Sequence, residues 1–270
     1  MSDAEVGQLV PPLLQPKDHD EPSVFQVENL LREARRQRRL GTRPVPDICL
    51  LDPDGDVVRY LRATGATVRH DDWACYHTEL WLTSVDGREI GIVPCAVGAP
   101  YAVLVAEELA ASGCSLVISI SSAGAIVPLG SPPYFVLIER ARRDEGTSLH
   151  YTPPSEWSDL SPQLGAALAG AFDDHDEPVH RGLSWTTDAP FRETRAAIAA
   201  AVSAGVHAVE MEASALYSYA QARNCDVVCV AHVTNTMATE GDDFEKGEGD
   251  GTHRILAVVA SIAQAVRPTA

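Results

Sequence analysis

The chain has 270 residues, 45% of them apolar, and a formal charge of −17 at pH 7. That length suits one α/β domain with a large core, and the acidic balance repels polyphosphate, which excludes broad nucleic-acid or anionic-membrane binding. No run approaches the roughly 18 uninterrupted apolar residues that span a bilayer. The N-terminus, with Asp3 and Glu5, lacks a basic-then-apolar signal, so the expected location is the cytoplasm.

In chain order, residues 1–45 read as an N-terminal arm and helix, and residues 46–270 as a single catalytic domain. Pro11 to Glu21 has no regular pattern. Val24–Leu40 reads as a helix whose polar face carries Arg32, Arg35, Arg36, Arg38 and Arg39, a solvated or subunit-facing surface; Gly41 and Pro44 end it. Strand-like apolar runs follow at Asp47–Leu51, Ile90–Ala96, Ser115–Ile120, Tyr134–Ile138, Val206–Val209 and Val227–Val233. Helical runs separate them at Ala99–Ser112, Gln163–Phe172, Arg195–Ala204, Met211–Arg223 and Arg254–Val266. Thr78–Ser84, the Asp86-Gly87 turn and Ile90–Ala96 read as a hairpin, which makes the sheet mixed. This alternation predicts an α/β sandwich, in which ligands bind beyond the carboxyl ends of strands. The Gly-, Asp- and Glu-rich stretch Glu240–Gly251 reads as an exposed loop and a candidate lid. The six cysteines include no C-x-x-C pair and several sit inside apolar runs, so buried, reduced thiols are expected.

Two strand ends carry acid. Asp52-Pro53-Asp54-Gly55-Asp56 starts like a calcium loop, but Val57 and Ala63 stand where such a loop needs glycine and glutamate. No metal site is expected there. What remains is three carboxylates at a helix entrance, where capping is the simplest role. The second is Val209-Glu210-Met211-Glu212-Ala213. An unpaired buried carboxylate is expensive, and a pair of ligand hydroxyls would satisfy one of the two glutamates. The small residues around Glu212 point to close packing there, whereas Glu210 fits a solvent-facing helix start.

The run His207 to Tyr217 resembles the V-x-M-E-x-x-A-L signature of the nucleoside phosphorylase and nucleosidase superfamily. Three further segments keep the family order: Gly98-Ala99-Pro100-Tyr101-Ala102 with Glu107-Glu108-Leu109, Ser121-Ser122-Ala123-Gly124-Ala125, and Thr186-Thr187-Asp188-Ala189-Pro190-Phe191-Arg192-Glu193. The resemblance covers roughly residues 46 to 266. It implies a three-layer α/β/α sandwich with a central mixed sheet of nucleoside-phosphorylase type, a small-molecule nucleoside as ligand, no cofactor, and a homo-oligomer, dimer or hexamer. It also implies roles. Glu212 accepts hydrogen bonds from the ribose 2′- and 3′-hydroxyls, Met211 packs under the sugar, and Glu210 lies in the same substrate-binding run. Pro190 and Phe191 flank the base, Ser122 and Gly124 belong to the turn beside the sugar, and Asn235 stands where purine-cleaving members carry a proton-donating aspartate. Asn235 can hydrogen-bond a 6-oxopurine or an altered base, but cannot deliver a proton at neutral pH.

The resemblance breaks where the family binds phosphate. Pro53 and Val57 replace a glycine and an arginine, Tyr76 stands where a neighbouring subunit supplies an arginine, and Ser119 replaces the third. Asp56 falls where nucleosidases carry the glutamate that activates water, although a one-residue shift would put Asp54 or Gly55 there. Each lost arginine fork removes roughly 1.5–3 kcal/mol of phosphate binding. The sequence therefore favours hydrolysis of a nucleoside's N-glycosidic bond, with Asp56 as general base. One alternative is a phosphorylase with a relocated phosphate site, for which Arg59 and Arg192 are candidates. Another is a non-catalytic nucleoside-binding relative.

Overall fold

In the computed structural model, residues 10–175, 177–237, 244 and 246–268 are described. The N-terminal periodicity yields α1 (Val27–Arg38), two residues shorter at the C-terminus and three at the N-terminus than the sequence pattern. Its Leu31 and Ala34 pack on Ala74, and Arg36 pairs outward with Glu33. Before it, among the described residues, a 3-10 turn at Pro12–Leu14 is the one regular element of the arm.

The remaining chain runs β1 (Ile48–Asp52), α2 (Asp56–Thr64), β2 (Val68–Arg69), β3 (Trp81–Val85), β4 (Arg88–Pro94), α3 (Ala99–Ala110), β5 (Leu116–Ala125) and β6 (Tyr134–Asp144). There follow β7 (Trp157–Asp159), α4 (Pro162–Ala167), β8 (Val179–Thr187), α5 (Arg195–Ser203), β9 (Ala208–Glu210), α6 (Ala213–Arg223), β10 (Asp226–Asn235) and α7 (Thr252–Val266). The expected hairpin is β3–β4, antiparallel across the Asp86-Gly87 turn. β8 was invisible to a search for apolar runs because it begins with Val-His-Arg-Gly and packs through Trp185, Thr186 and Thr187. β6 continues past Ile138 through three arginines for the same reason. α4 is shorter than expected: Ser161 caps it, but the chain turns away before Gly170.

Helices pack on a mixed sheet of order β2-β3-β4-β1-β5-β9-β8-β6-β10, with β7 on the flank of β6. β10 pairs with both β6 and β5, so β5, β9, β8, β6 and β10 close into a ring, a feature beyond the open sheet the alternation suggested. One edge of β5 changes partner along its length. It pairs with β1 as far as Ser119 and with β9 from Gly124 onward. Between them, Ile120–Ala123 have no strand on that side, so their backbone groups face the space beyond the end of β1. That gap positions the site. Among the described residues, no helix is long and apolar enough to cross a membrane. None of the six cysteines is in a disulfide; Cys95 is exposed, Cys225 half-buried and the other four buried.

The ring is tied to α6 by Tyr217, whose hydroxyl donates to the Ile138 carbonyl at 2.5 Å and accepts from the Cys229 N–H at 3.2 Å. Tyr217→Phe deletes both bonds in a buried setting and is expected to destabilise the fold by about 1–3 kcal/mol, read from the midpoint of denaturant unfolding at unchanged slope.

Candidate active site

The site is built where β1, β5 and β10 end side by side and β9 enters α6. β1 and β10 both run parallel to β5, so Asp52, Ser122 and Asn235 arrive at one edge of the sheet. The chain then turns from β1 into α2 through Pro53-Asp54-Gly55, with Gly55 in the left-handed region. This delivers three carboxylates in five residues.

Each carboxylate has a different fate. Asp52 is buried and its Oδ2 accepts the Val58 N–H at 3.1 Å, a helix-capping bond of the kind expected from sequence. Burial, the largest cause, and then the charges of Asp54 and Asp56 raise its pKa to about 7, against the Val58 bond. Asp54 turns into the gap of β5, where its Oδ2 accepts the Ser122 N–H at 3.1 Å and the Ser122 Oγ–H at 2.7 Å. Lys246 Nζ reaches the same oxygen at 3.0 Å. Burial pushes the Asp54 pKa up, but Lys246 and the Ser122 bonds outweigh it and hold the carboxyl below its usual range. Asp56, the expected base, is gripped at both oxygens: Arg59 donates to Oδ1 at 2.5 Å and Lys246 to Oδ2 at 2.6 Å. With its pKa raised to about 7, Asp52 is a better-poised proton acceptor than Asp54, whose pKa is held low.

Lys246 is the residue sequence reasoning missed. It lies in the acidic stretch read as a candidate lid, of which residues 240–243 and 245 lie outside the described residues. Burial disfavours its charge, but Asp54 and Asp56 overcome this and raise its pKa. Gly251 brings the segment close: its φ is +74°, and a Cβ there would sit 3.0 Å from the Lys246 carbonyl and 2.9 Å from the His232 ring. His232 is itself buried, stacked on Phe135 at 4.4 Å, and kept neutral by a pKa of about 4, first through burial and then through Lys246.

The two glutamates divide in a way that corrects the sequence reading. Glu210 does not face solvent. Its Oε2 accepts the Glu212 and Ala213 N–H groups, both at 2.7 Å, and its Oε1 accepts Ser184 Oγ–H at 3.1 Å and Thr186 Oγ1–H at 2.5 Å. It is a buried anchor for the start of α6, with its hydrogen-bonding capacity directed into the protein. Glu212 is also buried, but its side-chain bonds come from backbone alone, Gly98 N–H to Oε1 at 2.7 Å and Met211 N–H to Oε2 at 3.3 Å. Burial, and then the negative neighbour Glu210, raise its pKa; Asp54 lies close enough to add to the effect. Met211 beside it is half-buried.

The remaining expected residues are partly assembled. Gly124 lies under Asn235 and Met237, and a Cβ there would meet Asn235 Oδ1 at 3.1 Å. Asn235 is buried and bonded at both ends, Nδ2 to the Ala123 carbonyl at 3.2 Å and Oδ1 from the Met237 N–H at 3.0 Å. These bonds fix the turn after β10. Pro190 and Phe191 form a 3-10 turn with Arg192, and the Phe191 ring is fully exposed. Tyr76 is exposed, donating to Gln37 at 2.8 Å. Arg59 does lie at the strand end, bridging Asp56 and Asp250.

Asp52 makes stability depend on pH. Its folded-state pKa of about 7 lies above the ordinary carboxylate value, so its stabilising contribution is complete below the unfolded pKa and is lost as pH rises through 7. Asp52→Asn keeps an acceptor for Val58 without the charge. The variant is expected to be more stable than the parent at pH 8, by on the order of 1–3 kcal/mol, and to lose that advantage below pH 5, as thermal unfolding across pH will read.

Three proteins resemble this chain, one in sequence and two in solved structure. A guanosine phosphorylase of Halorubrum lacusprofundi is 23% identical over 190 residues, 68% of this chain and 79% of its own length. A uridine phosphorylase structure from Vibrio fischeri ES114, complexed with 6-hydroxy-1-naphthoic acid, superposes with a TM-score of 0.70 at 19% identity, covering 83% of this chain and 93% of the other. A Toxoplasma gondii purine nucleoside phosphorylase in complex with immucillin-H gives a TM-score of 0.72 at 16% identity, covering 92% and 99%. The family model described as the phosphorylase superfamily matches residues 47–265, from the strand that carries Asp52 to the helix that follows Lys246, and the chain belongs to that superfamily.

Proposed function

We propose that this enzyme cleaves the N-glycosidic bond of a nucleoside by transferring the ribosyl group to phosphate. The named relatives are all phosphorylases, which favours phosphorolysis over the hydrolysis preferred from sequence. The observation that carries the reading is the convergence of Ser122 N–H, Ser122 Oγ–H and Lys246 Nζ on one oxygen. Three such donors form a seat for an oxyanion, and Lys246 supplies a cation where the expected arginines are missing. In this reading Glu212 accepts the ribose hydroxyls and Met211 packs beneath the ring. The carboxylate stabilises the sugar as positive charge develops at C1′. Glu210 and Asn235 act as positioning residues, the first orienting Glu212 through its backbone and the second shaping the turn beside the base. The exposed Phe191, together with Phe25 and Val24 on the N-terminal arm, supports assembly into a homo-oligomer, as a dimer or hexamer, in which apolar surface is covered.

Hydrolysis stands as the second reading because of one observation: the seat is filled by the protein's own carboxylate, with Asp52 and Asp56 beside it. Like charges at this distance oppose a phosphate dianion, while Asp52, titrating near pH 7, suits the activation of water.

Incubation of a nucleoside panel in 18O-labelled water, with and without phosphate, separates the readings. Phosphorolysis predicts base release that requires phosphate, yielding an unlabelled sugar phosphate. Phosphate-independent turnover with 18O on the sugar refutes it in favour of hydrolysis, and tight nucleoside binding without base release points to a binding protein. Glu212→Gln is expected to lower kcat/KM by about 100-fold or more, the loss of a charge-assisted bond pair, with unfolding above pH 8, where the free carboxyl is charged, unchanged or shifted upward because a buried charge has been removed.

A further inference from the structure

Asp54 occupies its seat in a way that capping of α2 does not require. Asp52 already caps α2 through Val58, and Gly55 is the residue at the helix boundary. Asp54 instead leaves the turn and spends its carboxylate on Ser122, a residue 68 positions away, at the point where β5 has no strand beside it. An unpaired backbone N–H in such a gap needs an acceptor, and so does the Lys246 ammonium, which is largely buried. The seat nevertheless opens to solvent, since the Asp54 side chain retains 35% of its exposure. A small anion therefore has a path to the donors and a competitor already bound to them.

We infer that Asp54 is an intramolecular competitor for the acceptor anion, so that phosphate enters the Ser122–Lys246 seat when the Asp54 side chain leaves it, and Asp54 sets the phosphate affinity. This rests on the phosphorolytic reading of the same site. Its consequence is a specificity control: with Asp54 seated, its carboxylate repels a dianion and leaves a neutral nucleophile unopposed. With Asp54 displaced, three donors, one of them the Lys246 ammonium, are released to the incoming phosphate together. Lys246 keeps its second partner, Asp56, in both states, which holds the ammonium in place during the exchange.

The competition makes Asp54 different from other nearby carboxylates. Asp250 pairs with Arg59 at 3.0 Å, so Asp250→Ala removes the same unit of negative charge from the neighbourhood while leaving the seat filled. Asp54→Ala empties it. Asp54→Asn leaves an amide oxygen able to accept the Ser122 donors without the charge.

Binding of inorganic phosphate to the full chain without nucleoside, measured by titration calorimetry, tests the inference independently of turnover. Asp54→Ala is expected to bind phosphate at least tenfold more tightly than the parent, Asp54→Asn to fall between the two, and Asp250→Ala to change affinity by less than threefold. Adding Ser122→Ala to Asp54→Ala should remove most of the gain. Phosphate affinity in Asp54→Ala equal to or below that of the parent overturns the inference. Equal gains in the Asp54 and Asp250 variants overturn it too, since they would reflect net charge alone. If Asp54→Ala fails to fold, Asp54→Asn against Asp250→Ala decides the question, and no gain in the former counts against it. A parent that releases no base under any condition would refute the proposed function while leaving this anion-binding comparison to stand or fall by itself.

Discussion

A carboxylate taken out of water must be met by donors or by a proton, and the organisation of this protein around its strand ends follows from five that are. Glu210 is met by four donors and becomes part of the scaffold. Asp54 and Asp56 are met by Lys246, with Ser122 and Arg59 completing their shells. Asp52 and Glu212 receive backbone bonds but little opposing charge, and their pKa values rise in consequence. The groups left incompletely neutralised are the ones suited to chemistry, because they gain most from a proton or a ligand hydroxyl.

The closing of the sheet decides which carboxylates meet which donors. β5 must serve β1, β9 and β10, and it does so by giving up its partner on one edge between Ser119 and Gly124. The gap that results exposes the Ser122 N–H to the β1–α2 turn. A continuous ladder would have consumed that donor, and Asp54 would have had no counterpart in the sheet.

The likeness to uridine, purine and guanosine phosphorylases extends over most of the chain at identities of 16–23%. At that distance the likeness shows the architecture. At the strand ends of this chain two cations, Lys246 and Arg59, are set among Asp54, Asp56 and Asp250.

By itself, the sequence determined the α/β alternation, the hairpin, the family motifs and the two acidic strand ends, because apolar periodicity and short motifs are local properties of the chain. It also identified Glu212 and Met211 as the pair at the start of α6. It did not yield β8 or the second half of β6, whose polar residues are buried by partners remote in sequence. It separated Glu212 from Glu210 but placed Glu210 in solvent, whereas both are buried and differ in what surrounds them. Only the tertiary structure joined Lys246 to Asp54 and Asp56, 190 residues apart at the nearer acid, and matched Asp54 to Ser122 across the gap in β5. Ion pairs and hydrogen bonds depend on distances of a few ångströms, and strand order, which sets those distances here, follows from long-range packing that no local pattern encodes.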